Sequence, residues 1–289
     1  MLHNPTYNFV DVYATEKMVY ALDETGLLYS TPYTPDKGTT LDLIGTDFKK
    51  IIPLENNHLL ITGIKELYLF DLRNMNIVKQ VGVSKKITWA DKLYDNTIQL
   101  FYTDGTAAEA DGNLKITDKN WPNKKEVITA ACYSKKFDCV FLGTKQGTIV
   151  AKKRNGETFT RFYGHKAEIT DLDVDGDILV STSFDKQVIV WNMPKLQQDS
   201  NLFKKDNSRH NDWITLMEFG QKTWPFCLSM CHPVDEVWIG SQDGTLQLLC
   251  YSVPKMSKQL KSSLTRELTP MEWTEFIGSS IPYENLLNP

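Results

Sequence analysis

Three groups of side chains in this sequence are of types that carry chemistry. His165, Ser181, Ser183 and Asp185 supply an imidazole, two hydroxyls and a carboxylate within one short stretch, the residue types of a Ser-His-Asp nucleophilic site. Asp171, Asp173, Asp175 and Asp177 alternate like the first ligands of a calcium loop. The residues that follow, ILVSTS, bring neither the glycine nor the bidentate glutamate that such a loop needs. A solvated or hydrogen-bonded edge is therefore expected there. Cys227, Cys231 and the adjacent His232 form the third group. Residues four apart on a strand are separated by about 13 Å, too far to share one zinc ion, so no metal is expected. Cys132 and Cys139 flank the turn YSKKFD and can meet across a hairpin. Reduced core thiols are still the expectation for the five cysteines, Cys250 included, because their number is odd and their spacing uneven. No G-x-x-x-x-G-K-[ST] occurs, so no phosphate-cradling loop and no cofactor is expected.

The elements that position these residues repeat. A tight turn followed by a short apolar strand recurs as DETGLLYS, GIKELYLFDL, TDGTAAEAD, TKQGTIVAKK, SFDKQVIVWN and SQDGTLQLLC. With Leu27, Leu67, Ala107, Ile149, Val188 and Leu246 as equivalent positions, the intervals are 40, 40, 42, 39 and 58 residues. A second apolar run precedes every turn (MVYAL, HLLITG, TIQLFY, CVFLGT, ILVSTS, EVWIGS), which makes each unit a β-hairpin. Several runs are apolar throughout rather than alternating, as expected for a sheet covered on both faces. A period near 40 residues with short strands predicts an all-β propeller. Six blades are favoured, and seven follow if the surroundings of Trp213 to Gly220 hide a degenerate blade. The long interval predicts a polar insertion at about 196–222, emerging as a loop.

Composition sets the outer limits. The chain has 289 residues, 41% of them hydrophobic, enough for a sizeable core. Its net charge of −4 gives no electrostatic footprint for nucleic acid or an anionic bilayer, so neither is an expected partner. No apolar run approaches the roughly 20 residues of a membrane span, and MLHNPTYNFV does not read as a secretion signal. A cytoplasmic location is the expectation.

One unit, Gly164-His165 followed by ITDLDVDGDILVSTSFDKQVIVWN, closely resembles a WD repeat. The resemblance implies a buried hydrogen-bonded chain of His165, Ser181 or Ser183, Asp185 and Trp191, structural rather than catalytic. Such a chain is physically sound, since a buried indole N–H needs an acceptor and a hydroxyl can accept it while donating to imidazole. His210-Asn211-Asp212-Trp213 is a weaker copy of the His-containing start, and the other units lack the Gly-His and terminal Trp. Those blades must be held by apolar packing.

The run LTPMEWTEFIGSSIPYE, residues 268–284, is similar to a segment that follows the last blade in bacterial WD-repeat proteins, many with an N-terminal signal-transduction NTPase or protease-like effector. That resemblance implies a sensor propeller, from a larger protein or standing alone. Read from its residues, the tail is helical: Thr269 caps, Pro270 starts, Glu272 completes a capping box and Gly278 ends the helix. Met256, Leu260 and Leu264 give a second apolar stripe. The expected division is a propeller over 1–253 and a helical tail over 254–289 packing on it.

The expected function is a non-enzymatic scaffold or sensor that binds a protein partner or an adjacent domain. Large aromatics beside prolines, Trp121, Trp224 and Phe226, together with Trp213, are the candidate contact residues, expected in connections rather than in strands. The rival is a propeller hydrolase or lyase, which needs histidines and carboxylates converging on the central channel. The sequence supplies five histidines.

Overall fold

The six turns of the repeat set the local geometry, and five of them place a residue in the left-handed region. Gly26, Gly105, Gly147 and Gly244 take positive φ in four of them, and Lys186 does so at φ 66° in a fifth. A computed structural model describes residues 9–276 apart from 16, 24, 33–38, 43–47, 95–96, 120–125, 154–156, 194–214, 232–234 and scattered positions between 253 and 268. These residues form six antiparallel sheets arranged as the blades of a propeller.

The first blade holds β1 (Phe9–Ala14), β2 (Met18–Asp23), β3 (Leu27–Pro32) and β4 (Thr39–Asp42). The second holds β5 (Lys50–Pro53), β6 (His58–Thr62), β7 (Glu66–Asp71) and β8 (Asn76–Gly82). The third holds β9 (Ile87–Tyr94), β10 (Thr97–Tyr102), β11 (Ala107–Ala110) and β12 (Ile116–Lys119). The fourth holds β13 (Ile128–Ser134), β14 (Cys139–Thr144), β15 (Thr148–Lys153) and β16 (Thr158–Tyr163). The fifth holds β17 (Ile169–Asp175), β18 (Ile178–Ser183), β19 (Gln187–Asn192) and β20 (Thr215–Gly220). The sixth has three described strands, β21 (Pro225–Cys231), β22 (Glu236–Ser241) and β23 (Leu246–Cys250). The innermost strands β1, β5, β9, β13, β17 and β21 follow one another around the axis.

The unbroken apolar runs are explained by what each face meets. In β6, Leu59 and Ile61 enter a core shared with Tyr20, Leu22 and Leu28 of the first blade, while Leu60 enters another with Ile98 and Leu100 of the third. Tyr68 and Phe70 of β7 divide from Leu67 and Leu69 in the same way. Side chains alternate across a strand, so a sheet with both faces covered needs apolar residues at every position. A third core joins blades three to five through Phe101, Phe141, Phe162, Leu172 and Trp191. A fourth joins Val180, Val188 and Val190 to Val237 and Ile239 of the sixth blade. Among the described residues, no such cluster links the sixth blade to the first.

Three expectations need correction. The insertion does not run to residue 222: Thr215–Gly220 is β20, paired with β19 from Gln187↔Gly220 to Trp191↔Thr215. Those residues therefore complete the fifth blade and are not a hidden seventh. Residues 194–214, with His210 and Trp213, lie outside the described set. Phe226 sits within β21 rather than in a connection. Cys132 and Cys139 do not face one another, since Cys132 pairs with Phe141 and Ser134 with Cys139. In the tail, α1 (Pro270–Phe276) begins with the capping box: the Glu272 amide donates to Thr269 Oγ1 at 3.2 Å and the Thr269 amide to Glu272 Oε2 at 2.8 Å. Trp273 is buried, and residues 254–256 are helical. Leu260, Leu264, Ile277 and Gly278 lie outside the described residues.

Two turn glycines make opposite demands. A Cβ on Gly147 would meet the Ala167 carbonyl oxygen at 2.6 Å and that of His165 at 2.8 Å, whereas Gly244 has open space around it. Gly147→Ala is expected to destabilise by about 3 kcal/mol, combining backbone strain with a forced shift of the neighbouring chain, and Gly244→Ala by about 1 kcal/mol. Urea unfolding of both variants checks the ordering.

Candidate functional site

The chain of polar groups around Trp191 is built from three elements of the fifth blade. Trp191 closes β19 and points its indole N–H at Ser181 Oγ in β18, 2.9 Å away. Ser181 in turn lies 2.7 Å from His165 Nε2, and His165 Nδ1 is 3.0 Å from Asp185 Oδ2. Ser181 accepts from the indole, so its own proton points to Nε2 and the imidazole proton sits on Nδ1, facing the carboxylate. The Gly-His pair has a steric reason: a Cβ on Gly164 would come within 2.8 Å of the Trp191 ring. Ser183 plays a separate part, donating to the Ala167 carbonyl at 3.1 Å and accepting the Asp185 amide at 3.1 Å. Ser181 and Ser183 are fully buried. The Ser181 hydroxyl is thus buried and committed to the indole and the imidazole.

Asp185 connects this buried chain to the surface. It accepts the Lys166 amide at 2.7 Å and the Gln187 amide at 2.9 Å as well as His165. Burial alone would raise its pKa, but the bonds from His165 and the two amides outweigh that and hold it below the usual range. The carboxylate thereby fixes the turn between β18 and β19, whose flanking residues are Phe184 and Lys186. Phe184 meets Trp224 and Phe226 edge-on, with ring centroids 6.4 and 5.5 Å apart, and Lys186 Nζ lies 5.8 Å from the Trp224 ring. Trp224 is 41% and Phe226 43% exposed. Large aromatics held rigidly yet left to solvent are the residues that dominate protein interfaces. Trp121 and Trp213 lie outside the described residues.

The carboxylates on the innermost strands have a different task. Asp11 Oδ2 accepts the Ile51 amide at 2.7 Å, Asp171 Oδ2 the Leu228 amide at 2.9 Å and Asp173 Oδ2 the Met230 amide at 3.0 Å. Each bond runs from one blade to the next. Thr129 and Thr170 stitch in the reverse sense, donating to the Ile169 and Pro225 carbonyls at 2.7 and 2.8 Å. These threonines sit at register shifts in β13 and β17. A cavity of about 330 Å³ opens between these strands, lined by Lys50, Asp91, Cys132, Asp171 and Asp173 among others. Lys50 pairs with Asp91, and its Nζ stands 5.1 Å from the Trp89 ring. Burial would depress the ammonium, but Asp91, Asp171 and Asp11 together hold its pKa above the ordinary value.

Burial pushes Asp171 up to about 6, with Lys50 and the Leu228 amide opposing the rise. The Cys132 thiol is pushed well up by burial and by Asp173 and Asp171, and Cys139 up to about 12 by burial and Asp138. Neither is a ready nucleophile. Among the described residues no group of three or more His, Cys, Asp or Glu is arranged to hold a metal ion.

The structure brings the four tetrad residues together and sets Trp224 and Phe226 beside Phe184, while Phe184, Lys186, Lys50, Asp11 and Asp91 were not singled out by the amino-acid sequence. Phe184 was the most legible of these, since an aromatic at a hairpin turn has no local reason to be there. The channel residues gave no signal, because their proximity arises from strands about 40 residues apart in sequence. Asp171 and Asp173, expected at a solvated or hydrogen-bonded edge, are half-buried and hydrogen-bonded to the sixth blade's backbone.

A family model described as WD domain, G-beta repeat matches residues 156–192. No curated protein matches the chain. Among solved structures, the chain is similar to the crystal structure of the Myceliophteria thermophila Cps50 (Swd1) β-propeller domain, at 14% identity and a TM-score of 0.59 over 84% of this chain and 89% of that one. The repeat and the structural likeness together show a WD-type propeller fold. The matched repeat begins around β16 of the fourth blade and ends at Asn192 of the fifth, so one sequence repeat bridges two blades.

Trp191→Ala is expected to lower stability by about 3 to 5 kcal/mol through lost packing, and Ser181→Ala by about 2 kcal/mol through two stranded polar groups. Thermal melts that match the wild type would remove the tetrad from the account. Asp171→Asn tests the channel. Its folded pKa is raised, so the ionised carboxylate costs the native state stability above about pH 6, and that cost vanishes below the unfolded value near 3.8. The variant should therefore be more stable than wild type at neutral pH, by on the order of 1 kcal/mol given partial solvation, and equal to it in acid. Urea midpoints of both proteins across pH give the difference.

Proposed function

We propose that this propeller is a non-enzymatic interaction module that grips a protein partner with the aromatic cluster of Phe184, Trp224 and Phe226. Support comes from the position of that cluster. It is exposed, it spans the fifth and sixth blades, and the tetrad below it removes the freedom that binding would otherwise cost. Lys186 adds one cation at its border. The contact set also takes in Trp121 and Trp213. In this reading the carboxylates of the channel hold blades together, and a protein rather than a nucleic acid is the partner, in keeping with the net charge of −4.

We further assign the module to a bacterial signalling assembly in the cytoplasm, where it serves as the sensor part of a protein with an NTPase or protease-like effector. The tail motif LTPMEWTEFIGSSIPYE supports this, as do the free thiols of Cys132, Cys139, Cys227 and Cys250, which suit a reducing compartment. The propeller then comprises residues 1–253 and the helical tail 254–289, with Trp273 as its buried anchor.

The test is a matched pair of baits, the wild-type chain and the Trp224→Ala/Phe226→Ala variant, with captured proteins identified by mass spectrometry. A specific partner retained by the first and lost by the second, with both baits melting within a few degrees of each other, is the expected result. Equal capture by both baits would remove the cluster from the interface.

A further inference from the structure

The turns between the second and third strands of each blade and the connections from one blade to the next lie at the same end of their antiparallel strands, so they share one face of the ring. Backbone hydrogen bonds join them there. The Val83 amide donates to the Lys65 carbonyl at 2.7 Å, the Thr103 amide to Lys86 at 3.0 Å, the Lys145 amide to Val127 at 2.9 Å and the Gln221 amide to Lys186 at 2.7 Å. Lysines recur along this face. Lys65, Lys145 and Lys186 stand on the turns of the second, fourth and fifth blades, and Lys86, Lys166 and Lys222 on the connections that lead into the third, fifth and sixth. Four of them adjoin one another through the backbone. The Lys145 turn abuts the carbonyls of His165 and Ala167 at Gly147, Asp185 accepts the Lys166 amide, and Lys186 accepts the amide of Gln221, the residue before Lys222. The series ends at Trp224, in the exposed aromatic cluster.

All six lysines are exposed, and none of their ammonium groups joins an ion pair among the described residues. The carboxylates beside them are largely engaged. Asp185 holds His165, Asp104 pairs with Lys85 at 3.0 Å and Glu126 pairs with Arg161. Glu66 accepts the Tyr68 hydroxyl, Asp243 accepts the Thr245 amide and hydroxyl at 3.1 and 2.7 Å, and Glu168 is half-buried. Among the described residues, cations therefore outnumber the remaining carboxylates on this face, although the chain as a whole carries a net charge of −4. The face has a sign opposite to that of the molecule.

We propose that the partner presents an acidic peptide segment to this face, with an apolar side chain on Phe184, Trp224 and Phe226 and Asp or Glu carboxylates over Lys222, Lys186, Lys166 and Lys145. The inference rests on the aromatic cluster being the partner contact proposed above. Charge complementarity selects an acidic partner, because a row of unpaired ammonium groups rejects a basic segment and steers an acidic one toward the anchor. Lysine further selects carboxylate over phosphate. A phosphate is matched by the fork of a guanidinium, and these turns and connections carry no arginine among the described residues. The aromatic geometry selects a peptide over a single-stranded nucleic acid, which needs open ring faces on which successive bases stack. Phe184 stands at 79° to Trp224 and 87° to Phe226, so the rings pack edge to face and leave a cleft suited to one apolar side chain.

A random dodecapeptide display library selected on the immobilised full chain supplies the probes. Enriched sequences should combine a run of Asp or Glu with one large apolar residue, and a fluorescein-labelled synthetic copy should bind the chain more weakly as salt rises. Lys145→Glu/Lys166→Glu, at exposed positions outside the aromatic cluster, should raise the dissociation constant of that peptide by about tenfold or more with an unchanged circular dichroism spectrum. The salt titration of the wild-type chain is a second measurement, independent of any variant's folding. No enrichment, enrichment of peptides without acidic residues, binding indifferent to salt, or tighter binding of a single-stranded oligothymidylate would each overturn the proposal. Peptides lost by Trp224→Ala/Phe226→Ala but kept by the lysine reversal defeat the acidic partner alone and leave the aromatic contact standing. Peptides lost by the lysine reversal but kept by Trp224→Ala/Phe226→Ala defeat the aromatic contact, and the anchored docking with it.

Discussion

A four-stranded sheet of about 25 residues cannot bury an apolar face by itself, so every blade here depends on being covered from both sides. That requirement shapes most of the molecule. It explains why β6, β10, β14 and β18 are buried at nearly every position and not only at alternate ones, with Leu59 and Leu60 serving cores on opposite sides of one sheet. It also makes the junction between the sixth and first blades the special place in the ring. Val12 of β1 is 56% exposed, and Trp238, Leu246 and Leu248 are exposed on the sixth blade, so among the described residues both flanks of that junction carry apolar residues without a shared core.

Along the axis, where strands converge and side chains are short of room, polar groups do the joining. Asp11, Asp171 and Asp173 each accept a backbone amide of the following blade, and Thr129 and Thr170 donate to carbonyls of the following blade's innermost strand. An unpaired backbone amide at such a junction would cost more than the bond gains, which favours a carboxylate there. Burying a carboxylate at such a junction has its own cost, visible in the upward shift of Asp171, which Lys50 and the Leu228 amide only partly offset. Asp171 and Asp173, which suggest metal binding in a linear reading, are thus employed as fasteners between blades.

The fifth blade carries the most elaborate polar chain, and its effect reaches the surface. Lys186 holds a positive φ of 66°, a conformation that costs a non-glycine residue about 1 kcal/mol or more. Bonds from Ser183 and Asp185 to the turn offset that strain. The turn in turn sets Phe184 against Trp224 and Phe226, which belong to the start of the next blade. A buried serine and a surface aromatic patch are therefore parts of one construction: Trp191, Ser181, His165 and Asp185 stiffen the platform on which the patch stands.

The repeat, the hairpins and the blade count were legible in the amino-acid sequence because they are local. Turn residues such as Gly26, Gly105, Gly147 and Gly244 recur beside apolar runs, and the capping box at Thr269 and Glu272 needs only four consecutive residues. The family-like spacing of His165, Asp185 and Trp191 lay within one unit, and it left Ser181 and Ser183 as equal candidates. Only packing separated them, by directing Ser181 toward the indole and Ser183 toward the turn. The strand at Thr215–Gly220 was hidden because its partner β19 is separated from it by residues 193–214. Lys50 beside Asp91, Asp11 beneath Ile51 and Asp171 against Leu228 depend on strands that meet only when the blades close around the axis. Local stereochemistry determines the hairpin, whereas the approach of one innermost strand to another is set by the ring, and the ring exists only in the tertiary structure.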